Sequence, residues 1–210
     1  MDASARAELE RDVRALSDGG DQAGAATLAL KGYGPEIFGF LIAVHGNEAD
    51  ASDIFSELAE ALWRGLPGFA WESTLRTWAY SVARNIMRRR RRDAGRRQRR
   101  GPRAGDSALE GIAQAVRTET LSYLRTEKKT RLQALRDALP EEDRMLLVLR
   151  LDRQLSWNEL ARVLAEGAEG DGDASMDDAA LARESARLRK RFQLVKDRLR
   201  DLAKKEGLIE

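Results

Sequence analysis

Cysteine is absent from this 210-residue chain and histidine occurs once, as His45. Without cysteine there is no disulfide framework and no thiolate metal site, and the chain suits a reducing compartment. One histidine argues against a histidine-built metal site or a catalytic triad. No phosphate-cradling P-loop, dinucleotide-binding glycine turn or nucleophile with a base is visible. The chain therefore reads as non-enzymatic, with no catalytic residue, cofactor or metal. Long apolar runs are also missing. The apolar stretch Ile37 to Val44 is too short to span a bilayer, and His45 closes it as a helix-end residue beside Gly46. Met1-Asp2-Ala3-Ser4 carries an acid where a signal peptide needs positive charge. A cytoplasmic protein with no membrane insertion is expected.

What is abundant is arginine, and it is concentrated. Eleven arginines lie between Arg84 and Arg103 against one acid, Asp93. From Arg88 to Arg103 the local charge is +9 in a chain of net +2, which leaves −7 for everything else. Such a cluster repels itself and is tolerated mainly where a polyanion neutralises it. Its bland alternative is a solvated basic linker. The run grows out of an amphipathic aromatic segment, Thr74 to Asn85, and unpaired bases stack on rings and guanidinium planes. Nucleic acid is the first partner these residues suggest.

A hydrophobic content of 42% beside 34% charged residues fits a soluble, helix-rich protein of one or two domains. Leu9, Val13 and Leu16 mark a first helix ended by Gly19-Gly20. A second runs from Asp21 to Lys31, where Gly32-Tyr33-Gly34 is expected to break it. Pro35 then opens a third, which closes at Gly46. Asn47 or Asp50 caps a fourth, running to Arg64. The fifth begins near Ser73 and carries Leu75, Trp78, Ala79, Val82 and Ile86 at helical spacing. Trp78 lies on that apolar stripe and is expected in the core. After Arg92 the composition turns to Gly, Arg, Gln and Pro. The fold class is thus all-α: a helical domain over residues 1–92, a flexible basic linker at 93–107, and a second helical domain over 108–210.

In the second domain, Pro140-Glu141-Glu142 opens a helix with proline and acids in its first turn. Ser156-Trp157-Asn158-Glu159 is a capping-box pattern opening a short helix. An acidic, glycine-rich insertion follows near 165–180. The last helix, from Asp178 to Glu206, has an apolar stripe of Leu181, Ser185, Leu188, Phe192, Val195, Leu199 and Leu202. Arg183, Arg187 and Lys190 fall nearly opposite, with Arg191 beside them. A helix packed on one side, basic on the other and preceded by a short capped helix resembles a helix-turn-helix. An ordinary solvated surface helix gives the same pattern.

Together these segments resemble the bacterial sigma factors of the sigma-70 family, in particular the extracytoplasmic-function (ECF) subgroup, over about residues 25–100 and 132–202. The family's two domains would make residues 1–92 a region 2-like bundle and residues 108–210 a region 4-like helix-turn-helix. Three signatures carry the likeness in the family's order: Glu48 to Leu58 followed by Leu62-Trp63-Arg64; Phe69 followed by Leu75 to Asn85; and Leu139-Pro140 through Leu155 to Ala161.

The resemblance implies a promoter-specificity subunit of RNA polymerase and not an enzyme. Asp50, Asp53, Glu57 and Glu60, one acidic stripe at 3-4-3 spacing, would dock on the clamp helices of the β′ subunit. The loop from Phe69 to Thr74 would receive an unstacked base of the −10 element, with Arg76, Tyr80, Arg84, Asn85 and Arg88 facing that DNA. Arg183, Ser185, Arg187, Lys190 and Arg191 would read the −35 element, and this domain would contact the β flap. An anti-sigma factor is a further partner that the sequence leaves open. The chain departs from the family at Ser56, where a glutamine is common, at Arg89, where an acid is frequent, and in the long insertion near 165–180. A stand-alone helix-turn-helix regulator with a helical oligomerisation domain is the competing reading. An RNA-processing enzyme would need a catalytic constellation that is not visible.

Overall fold

A computed structural model of the chain describes residues 1–94, 107–126, 131–165 and 176–209. Among them every regular element is helical: α1 (Ala3–Asp18), α2 (Gln22–His45), α3 (Glu48–Gly65), α4 (Leu75–Ala94), α5 (Ser107–Thr126), α6 (Arg131–Asp137), α7 (Glu141–Leu147), α8 (Trp157–Leu164) and α9 (Asp178–Lys205). A 3-10 turn, Leu66–Gly68, follows α3, and a π-helical turn, Val148–Asp152, follows α7. The linker residues 95–106 and the insertion residues 166–175 lie outside the described set.

Local chemistry sets most boundaries. Asp2, Asp21, Asn47 and Asp177 each accept an amide of the helix they open. Ser156 and Glu159 form the reciprocal capping box expected for α8. Gly46, left-handed at φ 68°, closes α2.

Gly32-Tyr33-Gly34 does not break the chain. One helix of 24 residues runs through it with Pro35 inside. The two glycines serve packing instead of a turn. A Cβ on Gly32 would lie 2.3 Å from Leu9 Cδ2, and one on Gly34 would lie 3.0 Å from Val116 Cγ1 and 3.2 Å from Phe55 Cζ. α1, α5 and α3 approach the α2 backbone closely because no side chain stands in the way. By length and composition α2 could cross a membrane, but 56% of its apolar window is buried inside the bundle.

α2 is the central post. α1, α3 and α5 pack along it, and α4 leans on α3. Although α5 falls in the stretch assigned to the second domain, it docks on α2 and α3. There Arg117, 7% exposed, donates to Ser56 Oγ at 2.6 Å. α8 packs on α9 to form the helix pair expected from the sequence, and also rests on α4. The buried apolar residues form one cluster running from Val13 to Val195 across both parts. Trp78 is 2% exposed and lies in it, stacked on Phe69 at 4.8 Å between ring centroids.

Candidate functional site

The acidic stripe lies on α3, whose opposite side buries Ile54, Phe55, Leu58 and Leu62. Asp50 and Asp53 are exposed, and Glu57 and Glu60 half-buried. The stripe is held from within the molecule. Arg90 Nε donates to Glu57 Oε1 at 2.7 Å and Arg89 Nη2 to Oε2 at 2.6 Å, while Arg90 reaches Asp53 at 3.5 Å. Burial pushes the Glu57 carboxyl up, but hydrogen bonds and charge from Arg90 and Arg89 outweigh it and hold it below the ordinary carboxylate value. Asn47 donates to Asp50 at 3.1 Å, and Arg64 pairs with Glu60 one turn on. Arg89, a departure from the family pattern, thus grips the acid at the centre of the stripe.

The next face belongs to α4. Arg76, Tyr80 and Arg84 share one side of this helix, at 4%, 0% and 4% exposure. Asn85 and Arg88, further along, are half-buried. Arg76 Nε donates to Glu36 Oε1 at 2.9 Å, and its Nη2 pairs with the same oxygen and donates to the Arg153 carbonyl at 2.6 Å. The Tyr80 hydroxyl donates to Glu36 Oε1 at 2.9 Å, and its ring meets Phe40 edge-on at 5.3 Å. Burial and the Glu36 charge push that hydroxyl well above the ordinary tyrosine value, so it stays a donor. Arg84 Nη1 donates to the Ala165 carbonyl at 2.8 Å, just past the C-terminal end of α8, where a cation is favoured. α8 and the turn after α7 therefore cover the face that the sequence assigns to DNA.

Glu36 and Arg153 organise this cluster, and the sequence reading passed over both. The one sequence signal, for Glu36, is weak: it is the lone acid on a largely apolar helix, among Pro35, Ile37 and Phe38.

The loop between α3 and α4 and the first turn of α4 share an aromatic trio. Phe69 lies 4.9 Å from Trp71 and stacks on Trp78. Trp71 adopts φ 58°, a left-handed conformation unusual for a bulky residue.

On α9, Arg183, Arg187 and Lys190 are exposed on one side, as expected. Two of the proposed −35 residues are placed elsewhere. Ser185, 1% exposed, faces α8, where its hydroxyl bonds to Asn158 Oδ1 (3.0 Å) and the Trp157 carbonyl (3.2 Å). It lies on the apolar stripe, so packing claims it. Arg191 turns back to Asp143 of α7 (Nε to Oδ1, 2.8 Å), and Arg198 takes the second oxygen at 2.9 Å. Asp143 is 8% exposed, so this paired carboxylate binds α9 to α7.

Residues 30–97 match the family model of Sigma-70 region 2. Those residues contain most of α2, all of α3, the aromatic loop and all of α4, hence both the acidic stripe and the arginine-bearing face. The chain is also similar to the RNA polymerase sigma-H factor of Pseudomonas aeruginosa, 28% identical over 153 residues that cover 69% of this chain and 77% of that protein. The acidic helix, the aromatic loop and the arginine-rich helix all lie within the matched segment, so residues 30–97 carry a Sigma-70 region 2.

Proposed function

We propose that this protein is an ECF-type sigma factor, a promoter-specificity subunit that binds core RNA polymerase through α3 and promoter DNA through α4 and α9. The observation that carries this reading is the adjacency of the two faces. A partly exposed acidic stripe and a helix bearing Arg76, Tyr80, Arg84, Asn85 and Arg88 are joined by the aromatic loop within the segment that matches region 2. Asp50, Asp53, Glu57 and Glu60 supply complementary charge for the β′ clamp helices. The Phe69–Thr74 loop takes the unstacked base, whose extraction from the duplex costs a few kcal/mol that pocket contacts and phosphate neutralisation offset. On α9, Arg183, Arg187 and Lys190 form the exposed set that suits the −35 major groove, with Ser185 and Arg191 holding the helix in place. Contact of this C-terminal helix pair with the β flap belongs to the same reading.

A consequence of the packing is that promoter DNA and α8 compete. Arg76 and Arg84 cannot meet phosphate while they bond the Arg153 and Ala165 carbonyls. The closed arrangement must open on engaging the polymerase.

Run-off transcription with core polymerase tests the reading. Added alone, this protein should yield promoter-dependent transcripts from fragments of its host genome. Asp53→Arg should abolish that and polymerase binding while leaving the thermal midpoint nearly unchanged, because the Asp53 side chain is 67% exposed. Tight duplex binding without polymerase, together with no transcript, would favour the stand-alone helix-turn-helix regulator instead.

A further inference from the structure

The N-terminal end of α4 and the middle of the aromatic loop before it are held from a distance by α1. The first amides of any helix lack partners within it. In α4 they are accounted for one by one. Leu75 N donates to Glu10 Oε2 at 2.8 Å and Arg76 N to Glu10 Oε1 at 3.1 Å. Thr77 N donates to Thr74 Oγ1 at 3.1 Å, and Trp78 N to the Thr74 carbonyl at 3.0 Å. Thr74 is an ordinary local cap, whereas Glu10 lies 65 residues away on another helix. Its orientation is fixed in turn by Tyr33, whose hydroxyl donates to Oε1 at 2.9 Å. Burial and the Glu10 charge push that hydroxyl well above the ordinary tyrosine value, so it remains a donor.

One turn further along α1, the Arg14 guanidinium sits over the Trp71 ring, 5.4 Å from its centroid. Trp71 is the residue in the left-handed conformation, and it packs on Phe69. Such a backbone persists only when its surroundings over-determine it. Arg14 above and Phe69 beside Trp71 do so. Glu10 and Arg14, four residues apart and so on one face of α1, grip the loop at its far end and at its middle. Both lie outside residues 30–97.

We infer that Glu10 and Arg14 are positioning residues for promoter opening: they fix the shape of the Phe69–Thr74 loop and the start of α4, so that the site for the unstacked base exists before DNA arrives. A receiving site that must first order itself would add its ordering entropy to the cost of unstacking the base. The inference rests on the promoter-melting role proposed for this loop.

The test uses the full chain with core polymerase and one promoter in two forms, fully duplex and with the −10 segment already opened as a mismatched bubble. Glu10→Ala should lower initiation from the duplex by about ten-fold or more and leave the bubble template within about two-fold of wild type. Glu10→Gln, which keeps an oxygen acceptor but loses the charge, should recover part of the loss. Arg14→Ala should show the same split more weakly, with Arg14→Lys rescuing it, and polymerase binding should stay at the wild-type level throughout. Equal losses on both templates would overturn the inference in favour of a general stability role, and no loss on either would overturn it outright. If Glu10→Ala loses helicity by circular dichroism, the Arg14 pair decides, since that side chain is 59% exposed and its removal spares the fold. Wild-type protein silent on duplex and bubble alike would instead strike at the melting role itself.

Discussion

His45 stands at the C-terminal end of α2, where the helix dipole favours a cation, yet burial pushes its pKa below the ordinary 6.5. Glu141 and Asp50 face it and raise the value, while Arg144 and Arg90 lower it, and burial is the largest influence. Its Nε2 is buried with no hydrogen-bond partner among the described residues. For a base with a depressed folded pKa, the unfolded chain takes up the proton first. The stabilisation is therefore present above about pH 6.5 and is lost as pH falls below it. Thermal midpoints measured between about pH 7.5 and about pH 5.5 should fall in the wild type and stay flatter in His45→Leu. Glu57 gives the same sign in a lower window. Its contribution is present above the ordinary 4.5 and lost as pH falls below that value. An equal slope in the variant between about pH 7.5 and about pH 5.5 would show that His45 is not the group responsible.

At the scale of the helices, two glycines that both lie inside helices should respond oppositely to alanine. Both Gly34 of α2 and Gly111 of α5 are helical; alanine at Gly111 gains about 0.5–1 kcal/mol of helix propensity, whereas Pro35 crowds a Cβ on Gly34 and withholds that gain. Nothing lies within 4 Å of a Cβ on Gly111, so that gain should appear in full as a raised thermal midpoint. A Cβ on Gly34 meets Val116 and Phe55, at 5% and 0% exposure, and neither can retreat cheaply. Overpacking of that kind costs about 1–3 kcal/mol, so Gly34→Ala should lower the midpoint and loosen α5. Limited proteolysis at the α5 boundary and calorimetry would check the pair. A stabilised Gly34→Ala would mean that α5 is not seated on α2 as described. These glycines also mark where the sequence stopped being legible. Apolar spacing and caps sufficed for α1, α3, α4, α8 and α9, because those signals are local. Gly32-Tyr33-Gly34 looked like a break because the close approach of Leu9, Val116 and Phe55 is set by helices distant in the chain. Glu10 and Glu36 escaped notice for the same reason: their partners lie 65 and 40 residues away. Ser185 shows the converse. Its position on the apolar stripe was readable, and the stripe proved the better guide to its place than its polar side chain did.

For the molecule as a whole, the polar seams between the α1–α5 bundle and the α7–α9 part decide whether the side of α4 proposed to face DNA is available. They include Arg76 to the Arg153 carbonyl, Arg84 to the Ala165 carbonyl, and exposed Arg91 near Glu142 at 3.4 Å. The last contributes little, as half-exposed pairs do. The first depends on how closely the turn bearing Arg153 approaches α2. A Cβ on Gly39 would lie 2.9 Å from Arg153 Nη2, so a leucine there must displace that guanidinium and press its larger side chain against the closed turn. Once α7–α9 has moved away, that turn no longer overlies Gly39, and leucine on a helix surface is tolerated well. Gly39→Leu should therefore shift the balance toward the open form without touching any residue proposed to contact DNA. A shift of about 1.4 kcal/mol is about ten-fold in population. The expected result is a larger radius of gyration by X-ray scattering, together with affinity of the free protein for single-stranded −10 oligonucleotide raised by about that factor, since binding to a minority state is weakened by its population. Arg84→Ala in the same background separates opening from binding. It should keep the enlarged radius and lose the gained affinity. If Gly39→Leu enlarges the radius and leaves affinity at the wild-type value, α8 does not gate the promoter face, and the covering of Arg76 and Arg84 has no consequence for DNA.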